Sequence, residues 1–220
     1  MAYVDFIGQV HTSTRRNYLE RVVEHDKAEC AAVAGQFGQD YWDGDRRYGF
    51  GGYRYDGRWR KVAEAMVAHY GLKPGARILD VGCGKAFLLY EFTQVLPGCE
   101  VRGIDISAYG IENAKPEVKP WLTVGNATDL PYDSSHFDLV YSINTLHNLH
   151  NFEVHKAAAE MQRVGRGARH ITIESYRNER EKVNLMYWQL TCRAFQTPDE
   201  WQWTFDRAGY TGDYGCIFFE

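Results

Sequence analysis

The chain has 220 residues, of which 45% are hydrophobic and 25% charged, and a formal net charge of −4. That length suits one domain with a full core, the charge gives polyanions no general attraction, and no apolar run approaches the roughly 20 residues of a membrane helix. The five cysteines (Cys30, Cys83, Cys99, Cys192 and Cys216) are odd in number and include no C-x-x-C pair, which argues for reduced thiols and against a disulfide framework or a zinc site. No basic segment leading into an apolar core opens the chain. The expectation is therefore a cytoplasmic monomer or homodimer acting on a small-molecule substrate, with no metal, nucleic-acid or membrane partner.

In chain order, residues 13–37 are expected to be helical. The stretch YWDGDRRYGFGGYRYDG that follows is rich in glycine and aromatics and has no helical period, so it reads as a loop, and residues 1–58 form an N-terminal extension to a main domain over 59–220. Trp59, Val62, Ala63, Met66, Val67 and Tyr70 recur at helical spacing, ended by Gly71 and Pro74-Gly75. ARILDVG is a short apolar run with the look of a buried parallel strand. A helix with Leu88, Leu89, Phe92, Val95 and Leu96 on one side comes next, closed by Pro97-Gly98. EVRGIDI is a second strand, and SAYGIENA a short helix that Ser107 can cap. WLTVGN and HFDLVYSI are the third and fourth strands. Asn151 is expected to cap a helix bearing Val154, Ala157, Ala158, Met161 and Val164, stopped by Gly165 and Gly167. ARHITIES is the fifth strand, and a last helix near 179–193 carries Val183, Met186, Tyr187 and Leu190 as expected core positions. The alternation predicts an α/β fold with a doubly wound, mostly parallel sheet, which binds ligands outside the carboxyl ends of its strands.

The first strand ends in Asp80-Val81-Gly82-Cys83-Gly84, where small residues let a ligand approach the backbone. A lone G-x-G also fits a plain tight turn. The phosphate-binding alternatives fail on the residues: the G-x-x-x-x-G-K-[ST] loop is absent, and the dinucleotide fingerprint needs Gly or Ala where Phe87 stands. Asp80 would repel a pyrophosphate and attract an ammonium or sulfonium. Asp105, ending the second strand, can accept from both hydroxyls of a ribose. After the third strand the Asn126 side chain can pair with an adenine edge, and Ser142 to His147 would form the pocket floor after the fourth.

ILDVGCGKAFLL, GIDIS, GNATDLPYDSSHFDLVYS and INTLHNL resemble motifs of class I S-adenosylmethionine-dependent methyltransferases over about residues 76–174. The resemblance implies a Rossmann-like sheet of six or seven strands, S-adenosyl-L-methionine as cofactor and S-adenosyl-L-homocysteine as product. By position, Gly82 and Gly84 would pass under the methionine part, Asp80 would orient its ammonium, and Asp105 would hold the ribose. Asn126 takes the place of an Asp usual in the family, with Ala127 offering backbone contact to adenine. Cys83, Ile106 and Ser142 complete the implied cofactor set. The family's sheet has seven strands ending in an antiparallel hairpin, but only about ten residues follow the last helix here, so a strand is expected to be missing. The flanking segments are similar to those of small bacterial methyltransferases associated with surface-carbohydrate gene clusters, which implies an acceptor in carbohydrate biosynthesis.

Methyl transfer from a sulfonium is an in-line displacement, and a hydroxyl acceptor calls for a base near the methyl. His147, past the fourth strand, is one candidate, with packing in the turn as its bland alternative. Glu174 and Tyr176, at the end of the fifth strand, are the others. The acceptor would meet Asn144 and His150, and Tyr48, Tyr53, Tyr55 and Arg58 from the Tyr41–Trp59 segment. That segment is either a surface loop or a lid whose glycines give mobility and whose aromatics exclude water around a cation. A cofactor-binding subunit without activity, and a methyltransferase acting on a nitrogen or on a macromolecule, are the competing functions.

Overall fold

The computed structural model describes residues 1–8, 10 and 17–220. The expected helix over 13–37 therefore lies outside the described residues at 13–16. Beyond them it is two helices, α1 (Tyr18–Val23) and α2 (Lys27–Ala34). Asp26 makes the break: its backbone leaves the helical region, and its carboxylate accepts the Glu29 N–H at 2.9 Å, which starts a new helix. Within the glycine-aromatic segment, α3 (Gln39–Trp42) is a single turn. α4 (Arg60–Tyr70) buries Val62, Ala63 and Met66 on one face and ends at Gly71, where φ is +60°.

The main domain runs β1 (Arg77–Val81), α5 (Phe87–Val95), β2 (Glu100–Asp105), α6 (Ala108–Glu112), β3 (Leu122–Val124), β4 (Phe137–Ile143), α7 (Asn151–Val164), β5 (Gly165–Glu174), α8 (Glu179–Trp188), α9 (Pro198–Arg207) and β6 (Asp213–Ile217). The strands form one sheet in the order β3-β2-β1-β4-β5-β6, every pairing parallel. The order reverses between β1 and β4, which places a crevice at their carboxyl ends. Period-2 alternation splits the central strands between two cores: Ile78, Leu139 and Tyr141 face α4 and α5, whereas Leu79 and Val140 face α7 and α9. No helix among the described residues is long and apolar enough to cross a membrane.

The expected loss of a strand from the family's seven is met: the antiparallel hairpin is absent among the described residues, and β6 pairs parallel with β5 from His170↔Asp213 to Glu174↔Ile217. The outer edge of β6 is covered instead by the chain's own start: Val4 N–H donates to Tyr214 O at 2.8 Å and Tyr214 N–H to Ala2 O at 3.0 Å. Three other expectations change. β5 begins three residues earlier than expected, because Gly165 pairs with Phe137 and the register then shifts before Ala168 pairs with Leu139; Gly167 lies in that irregularity, where a Cβ would stand 2.3 Å from Asp138 O. The N-cap of α7 is His150 rather than Asn151, with the Glu153 carboxylate accepting the His150 N–H at 2.9 Å. α8 stops at Trp188, and its buried positions are Glu181 and Leu185, while Val183 and Met186 are exposed.

Candidate functional site

A cavity of about 540 Å³ opens at the carboxyl ends of β1, β2 and β4 and is roofed by the segment from Phe37 to Trp59. Its floor is the turn after β1. Gly82 and Gly84 have φ of +85° and +51°, a region open to glycine, and the protein fills the space their side chains would need. A Cβ on Gly82 would lie 2.2 Å from the Thr145 methyl, and one on Gly84 would lie 2.6 Å from the Trp42 indole. The glycines thus draw β4's end and the roof onto the turn.

Asp105, at the tip of β2, is fixed by two backbone donors. Gly84 N–H reaches Oδ2 at 2.7 Å and Ser107 N–H reaches Oδ1 at 2.7 Å. Each oxygen keeps a lone pair for a further donor, so the carboxylate is oriented before any ligand arrives. Burial pushes its pKa above the usual carboxylate range, and these two bonds act against that. Asp80 is more deeply enclosed. Burial raises its pKa to about 8, with the charge of Asp105 adding to the rise. The Tyr141 hydroxyl approaches the Asp80 carboxyl without closing a hydrogen bond of standard geometry. A cation placed here would favour the ionised form of Asp80.

The roof is tied to the turn by side chains. Lys85 Nζ, buried directly after Gly84, meets both Asp43 oxygens at 2.7 Å and Tyr53 O at 2.9 Å, and the Tyr109 hydroxyl donates to Asp43 at 2.8 Å. Trp42 Nε1 donates to Ser107 Oγ at 2.8 Å. Phe50 stacks on Trp42 with centroids 5.3 Å apart, and Tyr53 stacks on Phe87 at 4.9 Å. Gly49 serves contact as well as freedom, since a Cβ there would stand 2.1 Å from Tyr41 O. The segment is thus a packed cap.

Of the residues singled out from sequence, the cavity wall brings together Asp80, Gly82, Cys83, Gly84, Asp105, Ile106, Tyr53, Arg58 and Asn144. The others stand elsewhere. Ser142 is buried and spends its hydroxyl on Val81 O at 2.7 Å. Asn126 is exposed and folds its side-chain oxygen onto Thr128 N–H and Oγ at 3.0 Å, and neither it nor Ala127 reaches the cavity. Tyr48 lies under the Arg47 guanidinium, and the Tyr55 hydroxyl donates to Glu91 at 2.5 Å. His150 contacts the Arg193 guanidinium at 2.9 Å.

The three residues expected to act as bases are also off the wall. His147 is buried: its Nδ1 accepts the Glu174 N–H at 3.3 Å, and its Nε2 faces Glu174 Oε2 at 3.4 Å. That pairing puts the proton on Nε2. Burial lowers the imidazole pKa to about 3, so it is neutral and engaged on both sides. Its carbonyl also accepts from Arg193 and Ala194 N–H, making His147 a joint between the β4 loop and the segment after α8. Glu174 is buried beside it, bonded to Gln189. Tyr176 is buried in the core under Lys182.

Sequence reasoning placed Thr145 in the pocket floor, where it lies, and missed Trp42, Phe50, Asn148 and Trp188 as lining residues. The aromatic bias of 41–59 was the signal for the first two, and no local pattern marks Trp188. Asn144, with φ of +58°, and Asn148 each turn a buried side-chain oxygen that has no partner among the described residues toward this region. Unsatisfied buried acceptors are costly, so they mark where a ligand's donors belong.

A parallel sheet in this order, with a glycine turn and an oriented acid at successive strand ends, defines a Rossmann-like α/β protein of the class I methyltransferase type. Residues 72–209 match the methyltransferase domain family, so the chain belongs to that family of enzymes. A demethylmenaquinone methyltransferase of Symbiobacterium thermophilum is 34% identical over 128 residues, 54% of this chain and 50% of that protein. A tRNA (carboxymethyluridine(34)-5-O)-methyltransferase of Arabidopsis thaliana is 31% identical over 145 residues, 66% of this chain and 34% of that protein. The chain thus spans about half the length, or less, of these curated relatives. The YcgJ protein of Bacillus subtilis shares the fold, with a TM-score of 0.55 at 20% identity over 66% of each chain.

Proposed function

We propose that the chain binds S-adenosyl-L-methionine in the 540 Å³ cavity and transfers its methyl group to a small-molecule acceptor, an oxygen of a sugar, nucleotide sugar or phosphorylated metabolite. The observation that carries this reading is the Asp105 carboxylate, held by Gly84 and Ser107 at the tip of β2 with acceptor capacity left for two ribose hydroxyls. The cavity volume falls within the roughly 300–1,000 Å³ of small-molecule sites. Asp80 would meet the ammonium, and Ile106 and Cys83 would flank the nucleoside. When bound, the cofactor supplies a methyl group made electrophilic by its sulfonium. Trp42, Phe50 and Tyr53 keep water from that region, and the Asn144 and Asn148 oxygens accept from the acceptor's own O–H or N–H groups. With no imidazole among the described residues of the wall, positioning is the protein's main contribution to the reaction.

The relatives' names cover a quinone and a tRNA, so shared descent leaves the acceptor open. The test is a panel of sugars, nucleotide sugars, sugar phosphates and amines, each assayed for release of S-adenosyl-L-homocysteine. Turnover of a hydroxylated member is the expected result. Turnover confined to amines would move the reaction to nitrogen, and cofactor binding without turnover of any member would favour a non-catalytic binding subunit.

A further inference from the structure

A second cavity, of about 440 Å³, lies between α1, α2, the turn at 45–47 and the end of α8. Arg21 and Lys27 are half-buried on its wall, and Arg46 joins them from the cap. The Arg21 and Arg46 guanidinium carbons lie 4.6 and 5.3 Å from the Trp188 ring centroid. One indole therefore gathers two guanidiniums, each drawn to its π system while repelling the other. Arg21 Nε is buried with no hydrogen-bond partner among the described residues. Lys27 Nζ donates to Tyr187 O at 3.1 Å and Gln189 O at 2.5 Å, which leaves a third N–H.

The charges are strained by their crowding. Burial, and then the charge of Arg46, lowers the pKa of Arg21; burial, and then the charge of Arg21, lowers that of Lys27 to about 8. The carboxylates on the same wall, Glu20, Glu24 and Asp45, are exposed, and among the described residues none forms an ion pair with Arg21 or Lys27. Arg46 and Trp188 also line the first cavity, so the two chambers share a wall.

We propose that the second cavity seats a phosphoryl group of the acceptor, so that the substrate is a phosphorylated small molecule whose other end enters the first cavity. The proposal deepens the methyltransferase reading and rests on it for what the first cavity holds. A phosphoryl group brings close to two negative charges and three acceptor oxygens, which match Arg21 Nε, the third Lys27 N–H and the neighbouring charge of Arg46, whose guanidinium also donates to Gly49 O, better than a single carboxylate does.

The probe is inorganic pyrophosphate, titrated by calorimetry at constant ionic strength into the full chain saturated with S-adenosyl-L-homocysteine. Wild-type protein should bind it, and Arg21→Gln should weaken binding by about 10-fold or more while leaving the affinity for S-adenosyl-L-homocysteine unchanged. Arg21→Lys, which keeps the charge and loses the fork, should fall between them and serves if the Gln variant folds poorly. Absence of pyrophosphate binding to wild type, equal binding by wild type and both variants, or equally tight binding of acetate would overturn the proposal. Failure of S-adenosyl-L-homocysteine to bind, with a pyrophosphate response that still depends on Arg21, would strike the methyltransferase reading and leave the anion site standing.

Discussion

The floor and the roof of the first cavity are held in different ways. The floor is backbone: the β1 turn is bonded to β2 through Gly82 N–H on Ile104 O at 2.7 Å, and Asp105 is clamped by two more main-chain donors. Moving it means breaking the centre of a parallel sheet buried on both faces. The roof is held by a few side chains, chiefly the Lys85–Asp43 pair and Trp42 on Ser107, with aromatic faces between them. Such contacts can open and close without disturbing the core, so under the proposed function recognition of the cofactor belongs to the floor and control of entry to the roof.

Lys85→Met breaks this division most sharply. It removes the roof's main tether and leaves Asp43 without its cation, so the free energy of opening the cap should fall by about 1–3 kcal/mol. Hydrogen exchange at the amides of Phe50, Gly52 and Tyr53, which bond to Tyr41 O and Trp42 O, should then speed up by about 10- to 100-fold, while β1 and β4 exchange as before. Unchanged exchange at those three amides would make the roof as rigid as the floor.

His147→Asn sharpens the comparison with a smaller effect. His147 and His170 are both held neutral by burial, with pKa values near 3 against an ordinary 6.5. Their contribution is fully present above about pH 6.5 and is lost as pH falls through that value toward 3, where the unfolded chain takes up protons that the native state refuses. The variant should be less stable at neutral pH, by about 1–3 kcal/mol, and lose stability less steeply below pH 6.5. Methyl transfer by its folded fraction should stay near the wild-type rate, whereas loss of a base would cost about 10²- to 10⁴-fold. A collapse of that rate in a folded variant would return His147 to the chemistry.

The floor was legible in the sequence because its parts lie within about one strand-helix-strand unit. Gly82, Gly84 and Asp105 carry their meaning in spacing and residue type, and the fold puts them where the spacing says. The alternation of strands and helices was readable for the same reason. What was not legible depends on contacts distant in sequence. Nothing near residue 3 announces that it will guard the edge of β6 at Tyr214, and nothing near Trp188 announces that it will close a cavity begun at Trp42. The two readings of His147 could not be separated from sequence, because its position after β4 suits a base, whereas its partners Glu174, Arg193 and Ala194 lie 27 or more residues downstream and use up its polar atoms. Asn126 and Ser142 were misplaced for a related reason, since each satisfies its side chain within the turn or the sheet.

Calorimetric titration of S-adenosyl-L-homocysteine into the metal-free protein at pH 7, in buffers of differing ionisation enthalpy, tests the central claim most directly. The account predicts one-to-one binding, weakened by about 1.5–3 kcal/mol in Asp105→Ala. It also predicts the release of close to one proton, because the ligand's ammonium ionises an Asp80 whose pKa stands at about 8 beforehand. Binding of a nicotinamide dinucleotide in its place, with no affinity for S-adenosyl-L-homocysteine at millimolar concentration, would contradict it.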